Sequence, residues 1–403
     1  MGYQYWKYEK LDALCNDAFQ KFGFNAEEAK VISDVLLMSD RIGIESHGMQ
    51  RMYRYYKSIQ KGMIKVESKG DVVFETPVSA VIDAKDGMGQ VVGHKAMQMA
   101  IDKAKKTGMA MVTVRNSNHY GIAGYYAKLA CDAGFIGMSF TNTNAIMVPT
   151  YGRTAMLGTN PIALAVPAEP YDFFFDASTT VVTRGKLEVY NKKGEALHDG
   201  WALDKNGHPS NDAADVLDNI AAKNGGGIMP LGGSTEDTGS HKGYGYAMMC
   251  EIFSSIISMG TTSDKTGSGG KGGICHGFLV IDPAIFGDAE AIKAHLSDYL
   301  EAIRNAPKAD GQTRIYTHGE KEVEAEKKLM ENGIPVNDNT MVEVYEMCQY
   351  LGMDFSKYFG DYVPEASAGF KSPETFKYLD KIDPLRDNSS CCYPAGVVFR
   401  ENQ

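Results

Sequence analysis

The stretch MAMVTVRNSNHYGIAGYYAKLACDAGFIGMSFT, residues 109–141, contains a helix-like run between two strand-like runs. Both ends of the stretch (109–114 and 135–141) are rich in β-branched or bulky apolar residues, which favour strands. Residues 121–133 have the pattern of a helix. Helices that alternate with continuous apolar strands are typical of an α/β layer with a largely buried sheet, so this stretch predicts an α/β fold.

The same alternation extends to both sides. Further strands are predicted at SAVIDA (79–84), PIALAVP (161–167), FFFD (173–176) and ICHGFLVID (274–282), and further helices at 92–106, 244–259 and 320–332. The polar segment 188–240 predicts loops around short elements, and the pattern after residue 332 assigns no role to the tail.

The beginning of the chain differs, because its pattern predicts helices without strands. Asn25 and Glu28 fit a capping box, and apolar residues then recur at helical spacing. We therefore predict three parts: an N-terminal helical region (1–70), an α/β domain (71–315), and a C-terminal helical segment with a tail (316–403).

Composition and charge exclude several classes of protein. The chain has 403 residues, of which 43% are hydrophobic, and a formal net charge of −10. This charge disfavours nucleic-acid binding, and no apolar run reaches the roughly 20 residues that cross a bilayer. The seven cysteines form no CxxC pair, and the N-terminus lacks a signal-peptide pattern. We expect a cytoplasmic protein with reduced thiols that binds neither nucleic acid nor membranes.

Residues 267–272, GSGGKG, match the G-x-G-x-x-G fingerprint of dinucleotide-binding loops. That fingerprint requires a strand before the loop and a helix after it, whereas here a helix precedes and a strand follows. We predict an ordinary loop. Nothing else in the chain has a Rossmann context or forms a Walker A loop, so a nucleotide would be bound in another way.

Residues 40–62, DRIGIESHGMQRMYRYYKSIQKG, place a histidine and an arginine four residues apart. If a helix begins at Ser46, bulky residues line one side, and the other side carries His47, Arg51, Arg54 and Ser58. Such a basic face is usually just solvated. Two details favour a site: Ser46 places a hydroxyl beside the imidazole, and Gly48 lets a ligand or another chain approach. A guanidinium can bind a substrate carboxylate bidentately while a histidine exchanges a proton with the neighbouring oxygen.

Polar clusters elsewhere lie at the ends of predicted strands, where α/β folds bind ligands, or at helix starts, which suit anions. Turn formation and capping explain several of them equally well. Together with residues 40–62, these polar clusters resemble the type-2 malate/L-lactate dehydrogenase family, also called the sulfolactate dehydrogenase-like family. The resemblance extends from about residue 11 to about residue 332. The motifs follow in the family's order: DRIGIESHGMQR (40–51), NSNHYGIAGYYA (116–127), TNTNAIMVP (141–149), LGTNPIALAVP (157–167), FDASTTVVTRGK (175–186), HKGYGYAM (241–248) and HGEKE (318–322).

This resemblance implies a non-Rossmann dinucleotide-binding α/β fold of the sulfolactate dehydrogenase-like type, with an N-terminal helical region that carries substrate and catalytic residues. It implies a homodimer that uses NAD, or alternatively NADP, to reduce a 2-oxo acid or a related substrate. Malate is the first expectation. L-lactate, sulfolactate, ureidoglycolate, diketogulonate and cyclic imino acids are the alternatives.

The resemblance also implies roles for individual residues. Ser46 and His47 match the hydroxyl–histidine pair, with His47 as proton donor, and Arg51 matches the residue that binds the substrate carboxylate. His119 matches a histidine that contacts substrate and cofactor, and that is the acid/base in some members. Thr159 matches a substrate-contacting threonine. No metal is implied, and the implied cofactor contacts are Tyr120, Gly121, Ile122, Ala123, Thr143, Asp176, Ala177, Ser178, Thr179, Lys242, His318, Gly319 and Glu320.

Three departures from the family pattern matter. Lys186 and Leu187 stand where some members carry an aspartate as a relay partner, so a Ser-His-Asp relay is in doubt. The family's Pro-Gly-Glu appears as His318-Gly319-Glu320. The segment 188–240 and the tail after residue 332 look longer than usual.

The predicted reaction is reversible hydride transfer between NAD(H) and C2 of a small 2-hydroxy acid. Arg51 orients the carboxylate, His47 exchanges the proton and His119 polarises the oxygen. We expect a histidine with an ordinary pKa of about 6.5, which suits reaction in both directions near neutral pH. The charge of Asp176 would oppose a 2′-phosphate and favour NAD. The rival classes are a metal-dependent hydrolase, for which the chain lacks an HxxxH or HxH pair, and a non-catalytic NAD-binding module.

Overall fold

The computed structural model of the chain describes residues 2–267 and 272–366. Its N-terminal segment forms one strand and three helices: β1 (Tyr3–Trp6), α1 (Tyr8–Lys21), α2 (Ala26–Arg41) and α3 (Met52–Gln60). The predicted capping box is confirmed at the start of α2. Asn25 Oδ1 accepts the Glu28 N–H at 2.9 Å, and the Glu28 carboxylate accepts the Asn25 N–H at 3.1 Å.

The helix predicted from Ser46 is wrong at its start. Two 3₁₀ turns, Glu45–His47 and Met49–Arg51, come before α3. Between them Gly48 adopts φ −90° and ψ −140°, which is not a helical conformation. The chain therefore bends at Gly48, between the turn that contains His47 and the turn that contains Arg51.

The predicted α/β alternation is confirmed over residues 71–177. The elements are β2 (Asp71–Glu75), β3 (Ser79–Asp83), α4 (Gly89–Thr107), β4 (Met109–Ser117), α5 (Gly124–Asp132), β5 (Ile136–Thr141), β6 (Ile162–Val166) and β7 (Phe173–Ala177). The helix α4 ends at Gly108, whose φ of 84° suits a residue without a side chain.

The polar segment, which was predicted to form loops around short elements, contains two ten-residue helices in addition to short strands. It forms α6 (Arg184–Lys193), β8 (Ala202–Leu203), β9 (Pro209–Ser210), α7 (Ala213–Ala222) and β10 (Gly227–Ile228). The three short strands pair in the order β10-β8-β9. A small core of its own stabilises this unit, with Leu187, Val216 and Ile228 fully buried.

The rest of the described chain contains α8 (Ser240–Glu251), β11 (Ile274–Ile281), α9 (Ala289–Asn305), α10 (Glu320–Asn332), β12 (Ile334–Asn337), α11 (Asp338–Tyr350) and α12 (Ser356–Phe359). The helix predicted over 244–259 begins earlier, at Ser240, and continues past α8 as a π-helical turn, Ile252–Ile256. The helix predicted at 320–332 and the strand at 274–282 are confirmed.

The main sheet has seven strands in the order β2-β3-β4-β11-β5-β6-β7. Among these described pairs only β3–β4 is parallel, and β11 lies between β4 and β5, antiparallel to both. The helices α4 and α5 share a buried core with the sheet. β4 and β5 run in the same direction, so the loops that follow them begin at the same end of the sheet. The candidate site lies at this end.

The two ends of the described chain pack together. β1 pairs antiparallel with β12, and α1–α3 share one apolar core with α11 and α12, in which Phe19, Tyr56 and Met347 are at most 1% exposed. The described residues after 332 thus belong to the core of the N-terminal region. The division at residues 70 and 315 stays a prediction. In residues 2–267 and 272–366, no helix has the length and hydropathy needed to cross a membrane.

Candidate active site

A cleft of about 470 Å³ lies between the N-terminal region and the loops that follow β4, β5 and β7. The chain segments that form it are far apart in sequence, yet most residues of the predicted site line it together. They are Ser46, His47, Arg51, His119, Gly121, Ile122, Ala123, Thr143, Thr159, Asp176, Ala177 and Ser178.

Ser46 links the predicted catalytic histidine to the predicted carboxylate-binding arginine. The Ser46 hydroxyl lies 2.9 Å from His47 Nδ1, and the Ser46 carbonyl accepts a hydrogen bond from Arg51 Nε at 2.6 Å. These contacts leave His47 Nε2 and the terminal nitrogens of Arg51 for a ligand in the cleft.

Gly48 allows a close approach, but its neighbour is a side chain of the protein and not a ligand. A Cβ atom at this position would lie 1.8 Å from Asp40 Oδ1. Asp40 is 5% exposed and accepts the Met49 N–H at 2.8 Å, so it fixes the turn that carries His47. Burial raises the pKa of the Asp40 carboxyl to about 8.

We predict that Gly48→Ala lowers the free energy of unfolding by about 1–3 kcal/mol, because the methyl group overlaps Asp40 in a packed turn. Thermal unfolding measures this loss, and the variant should also lose activity as His47 moves. The matched control is Gly245→Ala on α8, where an added Cβ meets no atom within 4 Å. Equal unfolding temperatures for Gly48→Ala and the wild type would contradict the role assigned to this turn.

His119 faces His47 across the cleft, with ring centroids 5.6 Å apart and ring planes at 27°. The Gly121 N–H donates to His119 Nδ1 at 3.3 Å, and the Tyr55 hydroxyl lies 2.8 Å from the same atom. Since Nδ1 accepts a backbone N–H, the proton of neutral His119 is on Nε2. His119 therefore presents a neutral N–H donor, which suits hydrogen bonding to a carbonyl oxygen.

The expectation of an ordinary histidine pKa is wrong for both His47 and His119. Burial, with the charges of Arg51 and Arg54, lowers the pKa of His47 to about 3. Burial and the charge of Arg54 also hold the pKa of His119 well below its usual value. Both rings are thus neutral at pH 7.

Two threonines form a connected part of the cleft wall. The Thr159 N–H donates to Thr143 Oγ1 at 3.0 Å, and the two hydroxyls lie 3.4 Å apart. Across from them, Asp176 accepts the Gly124 N–H at the start of α5 at 2.7 Å. This contact stabilises a carboxylate at a helix N-terminus, although burial raises the Asp176 pKa to about 6.

Several predicted cofactor contacts do not line this cleft. Lys242 is exposed in the first turn of α8. Glu320 is fully buried, with salt bridges of 3.2 Å to Arg304 and 2.7 Å to Arg314. The neighbouring His318 ring lies 5.5 Å from that of Phe173, and Gly319 packs against β7.

Two more predicted contacts lie just behind the cleft. The Tyr120 ring is buried and stacks on His276, with centroids 4.2 Å apart. Thr179 is buried, and its hydroxyl donates to the Thr159 carbonyl at 3.0 Å.

The structure adds residues that the sequence interpretation did not assign to the site. Arg54, Asn144, Arg184 and Glu188 line the cleft, and Arg184 Nε lies 2.9 Å from Glu188 Oε1. Tyr55 is the partner of His119. Arg54 had a signal, because it lies on the same predicted face as His47 and Arg51, and Asn144 and Arg184 lie within the motifs TNTNAIMVP and FDASTTVVTRGK.

The prediction that a strand, and not a helix, follows GSGGKG (267–272) is confirmed by the described residues after it. A 3₁₀ turn, Ser263–Lys265, precedes it and β11 follows, so no helix begins after it. Residues 268–271 lie outside the described residues, as do Cys391 and Cys392. Over the described parts of the chain, no group of three His, Cys, Asp or Glu side chains could hold a metal ion.

Comparisons with known proteins agree with this geometry. The family model described as malate/L-lactate dehydrogenase matches residues 6–344. A malate dehydrogenase of Pyrococcus abyssi is 42% identical over 335 residues, which cover 83% of this chain and 91% of that protein. An L-sulfolactate dehydrogenase of Methanocaldococcus jannaschii is 37% identical over 358 residues, which cover 87% and 98%. The crystal structure of malate dehydrogenase from Entamoeba histolytica has a TM-score of 0.84 and 35% identity, and the match covers 88% of this chain and 99% of that one.

Proposed function

The chain belongs to the malate/L-lactate dehydrogenase family, and from that premise we propose that it interconverts malate and oxaloacetate with NAD(H). It is an oxidoreductase that acts on a 2-hydroxy acid. The observation that carries the proposal is the arrangement in one cleft of Arg51 with His47 and His119, whose rings lie 5.6 Å apart.

The residues of the cleft fit a nicotinamide nucleotide. Small and apolar groups of Ile122, Ala123 and Pro161 offer a surface for a flat ring, and the hydroxyls of Thr143 and Ser178 offer hydrogen bonds to an amide or a ribose. When bound, the nicotinamide supplies or accepts the hydride. The carboxylate of Asp176 would accept a ribose hydroxyl and repel a 2′-phosphate, which favours NAD over NADP.

The chain's own residues account for the remaining steps of the reduction. Arg51 binds the carboxylate beside the carbonyl bidentately and so orients C2. The neutral His119 N–H donates to the carbonyl oxygen and polarises it. His47, once it has taken up a proton from solvent, gives that proton to this oxygen as C2 gains the hydride, and neutral His47 takes it back in the reverse direction.

The charge of the cleft supports an acid with a second anionic group. Arg54 and Arg184 line the cleft in addition to Arg51, and Glu188 forms an ion pair with Arg184. A 2-oxo acid with one carboxylate needs only one guanidinium. Oxaloacetate carries a second carboxylate, which Arg54 or Arg184 would bind. Sulfolactate also carries two acidic groups and is the nearest alternative.

Steady-state kinetics test the proposal. NADH and NADPH are each combined with oxaloacetate, pyruvate and sulfopyruvate, and the loss of the reduced cofactor is followed. We expect the highest kcat/KM for oxaloacetate with NADH. If no 2-oxo acid consumed either cofactor although NADH fluorescence changed on mixing, the chain would be a binding module and the proposal would be wrong.

The lowered pKa of His47 predicts different pH profiles for the oxidation of malate and the reduction of oxaloacetate. Oxidation of malate needs neutral His47, so kcat/KM should show no acid limb from this ring between pH 5 and 8, above its pKa of about 3. Reduction needs the protonated ring, so kcat/KM for oxaloacetate should fall about tenfold per pH unit over that range. An acid limb centred near pH 6.5 in the oxidation profile would contradict the lowered pKa.

We also propose a homodimer in the cytoplasm. The end of α8 and the following turn present an apolar surface, since Tyr246, Met249, Ile252, Ile256 and Ile257 are each 40–50% exposed. Sedimentation of the wild type at twice the 44.0 kDa chain mass, and of Ile256→Glu at the chain mass, would support this surface as the dimer interface.

The cysteines support the proposed cytoplasmic location. The five described cysteines are free and buried, as suits a reducing compartment.

A further inference from the structure

Glu251 lies behind the cleft wall, at the end of α8, and is only 4% exposed. Its two carboxylate oxygens accept four hydrogen bonds. Oε1 accepts from Asn160 Nδ2 at 3.1 Å and from Ser263 Oγ. Oε2 accepts from Ser255 Oγ at 2.6 Å and from Asn142 Nδ2 at 3.4 Å. A buried carboxylate is usually paired with a cation, whereas these four partners are amides and hydroxyls.

The two amide partners hold the loops that form the cleft wall. Asn142 directly follows β5; its Nδ2 also donates to the Thr261 carbonyl, and its Oδ1 accepts the Cys275 N–H, each at 2.8 Å. This ties the end of β5 to the start of β11. Asn160 Nδ2 also donates to the Ala247 carbonyl at 3.1 Å, which ties its loop to α8.

Asn160 connects the carboxylate directly to the cleft. Its Oδ1 accepts the Thr143 N–H at 3.2 Å, while its Nδ2 is oriented by Glu251. The backbone of Asn160 has a φ of 35°, an unfavourable conformation for a residue with a side chain, so the contacts must maintain it. Thr143 in turn bonds Thr159, and both threonines face the ligand space.

We propose that Glu251 is a positioning residue, which holds Thr143 and Thr159 in place through Asn142 and Asn160 and so sets the affinity of the cleft for its ligands. The inference rests on the proposed function for the identity of those ligands, NADH and oxaloacetate. Glu251 itself lines no part of the cleft and acts through the loops alone.

The test variant is Glu251→Gln, which keeps the size of the side chain but turns an N–H₂ group toward groups that donate. We expect KM for NADH and for oxaloacetate to rise about tenfold each, because the new N–H₂ group replaces one of the two oxygens, and the amide of either Asn142 or Asn160 then loses its acceptor. The pH profile should keep its wild-type shape, since His47 is not touched. The dissociation constant for NADH alone, measured by fluorescence, should rise by the same factor.

Ser255→Ala is the matched control, because it removes a donor to the same carboxylate from the helix side and leaves both amides in place. It should lower thermal stability without changing either KM. Glu251→Asp keeps the charge and is the substitute test variant if Glu251→Gln does not fold. We expect Glu251→Asp to raise both KM values, but by less than the tenfold expected for Glu251→Gln.

Hydrogen exchange of the ligand-free chain gives a readout that does not depend on the proposed function. We expect faster exchange in residues 142–146 and 158–161 of Glu251→Gln than in Ser255→Ala. If the wild type reduced no oxo acid, the proposed function would fail while this comparison still tested the positioning role. Wild-type KM values in folded Glu251→Gln, or unchanged exchange in both segments, would overturn the inference.

Discussion

Arg51→Ala is expected to lower kcat/KM for oxaloacetate by about a thousandfold, through a higher KM and a lower kcat together. The guanidinium is held by the Ser46 carbonyl at 2.6 Å, so it binds the substrate carboxylate in a fixed direction. Its loss removes a charge-assisted bidentate contact and also the alignment of C2. Steady-state kinetics with saturating NADH measures both effects.

Arg41→Ala is the control for the loss of an arginine. Arg41 lies at the end of α2, pairs with Glu326 at 3.0 Å and does not line the cleft. It should leave kcat/KM within about twofold of the wild type, since Arg41 contacts neither substrate nor cofactor in the proposed reaction and partly exposed ion pairs contribute little. A folded Arg51→Ala enzyme with wild-type kcat/KM would rule out the carboxylate role.

His47→Asn is expected to lower kcat by about 10²–10⁴-fold, because the proton must then come from water. The fall of kcat/KM for oxaloacetate between pH 5 and 8 should flatten in this variant. His119→Asn removes a hydrogen bond to the carbonyl oxygen but leaves the proton donor, so its activity should fall while its pH dependence persists. Comparing the two pH profiles therefore assigns the roles. If His119→Asn lost the pH dependence and His47→Asn kept it, the assignment of donor and polarising group would be reversed.

The strands of the main sheet were predictable because each is a continuous apolar run that the sheet buries. Their pairing was not predictable. β11 lies more than 130 residues after β5, yet it separates β4 from β5 and makes the sheet mixed. No local pattern encodes such a contact, because antiparallel and parallel strands that are buried on both faces have similar compositions.

The site was predictable where one residue carries distinctive chemistry in an unusual context. Ser46, His47 and Arg51 and the motif around His119 meet in one cleft, as expected from their motifs. The position of the HGE segment was not predictable, since the burial of Glu320 depends on Arg304 and Arg314.

Residues that act from behind the cleft wall gave no signal in the sequence. Tyr55 and Glu251 lie within helical patterns and look like ordinary core and surface positions. Their polar atoms become informative only when their partners are known. The lowered pKa of His47 likewise depends on burial and on the nearby arginines, which a motif does not report.

The central claim is that one carboxylate of the substrate lies against Arg51 while the neighbouring oxygen lies between His47 and His119. A crystal structure of the chain with NADH and oxamate, an unreactive analogue of a 2-oxo acid, tests it most directly. We predict that both carboxylate oxygens lie about 2.7–3.0 Å from Arg51 nitrogens, and that the amide oxygen lies within hydrogen-bond distance of both imidazoles. Oxamate bound elsewhere, with Arg51 turned out of the cleft in the complex, would contradict the account.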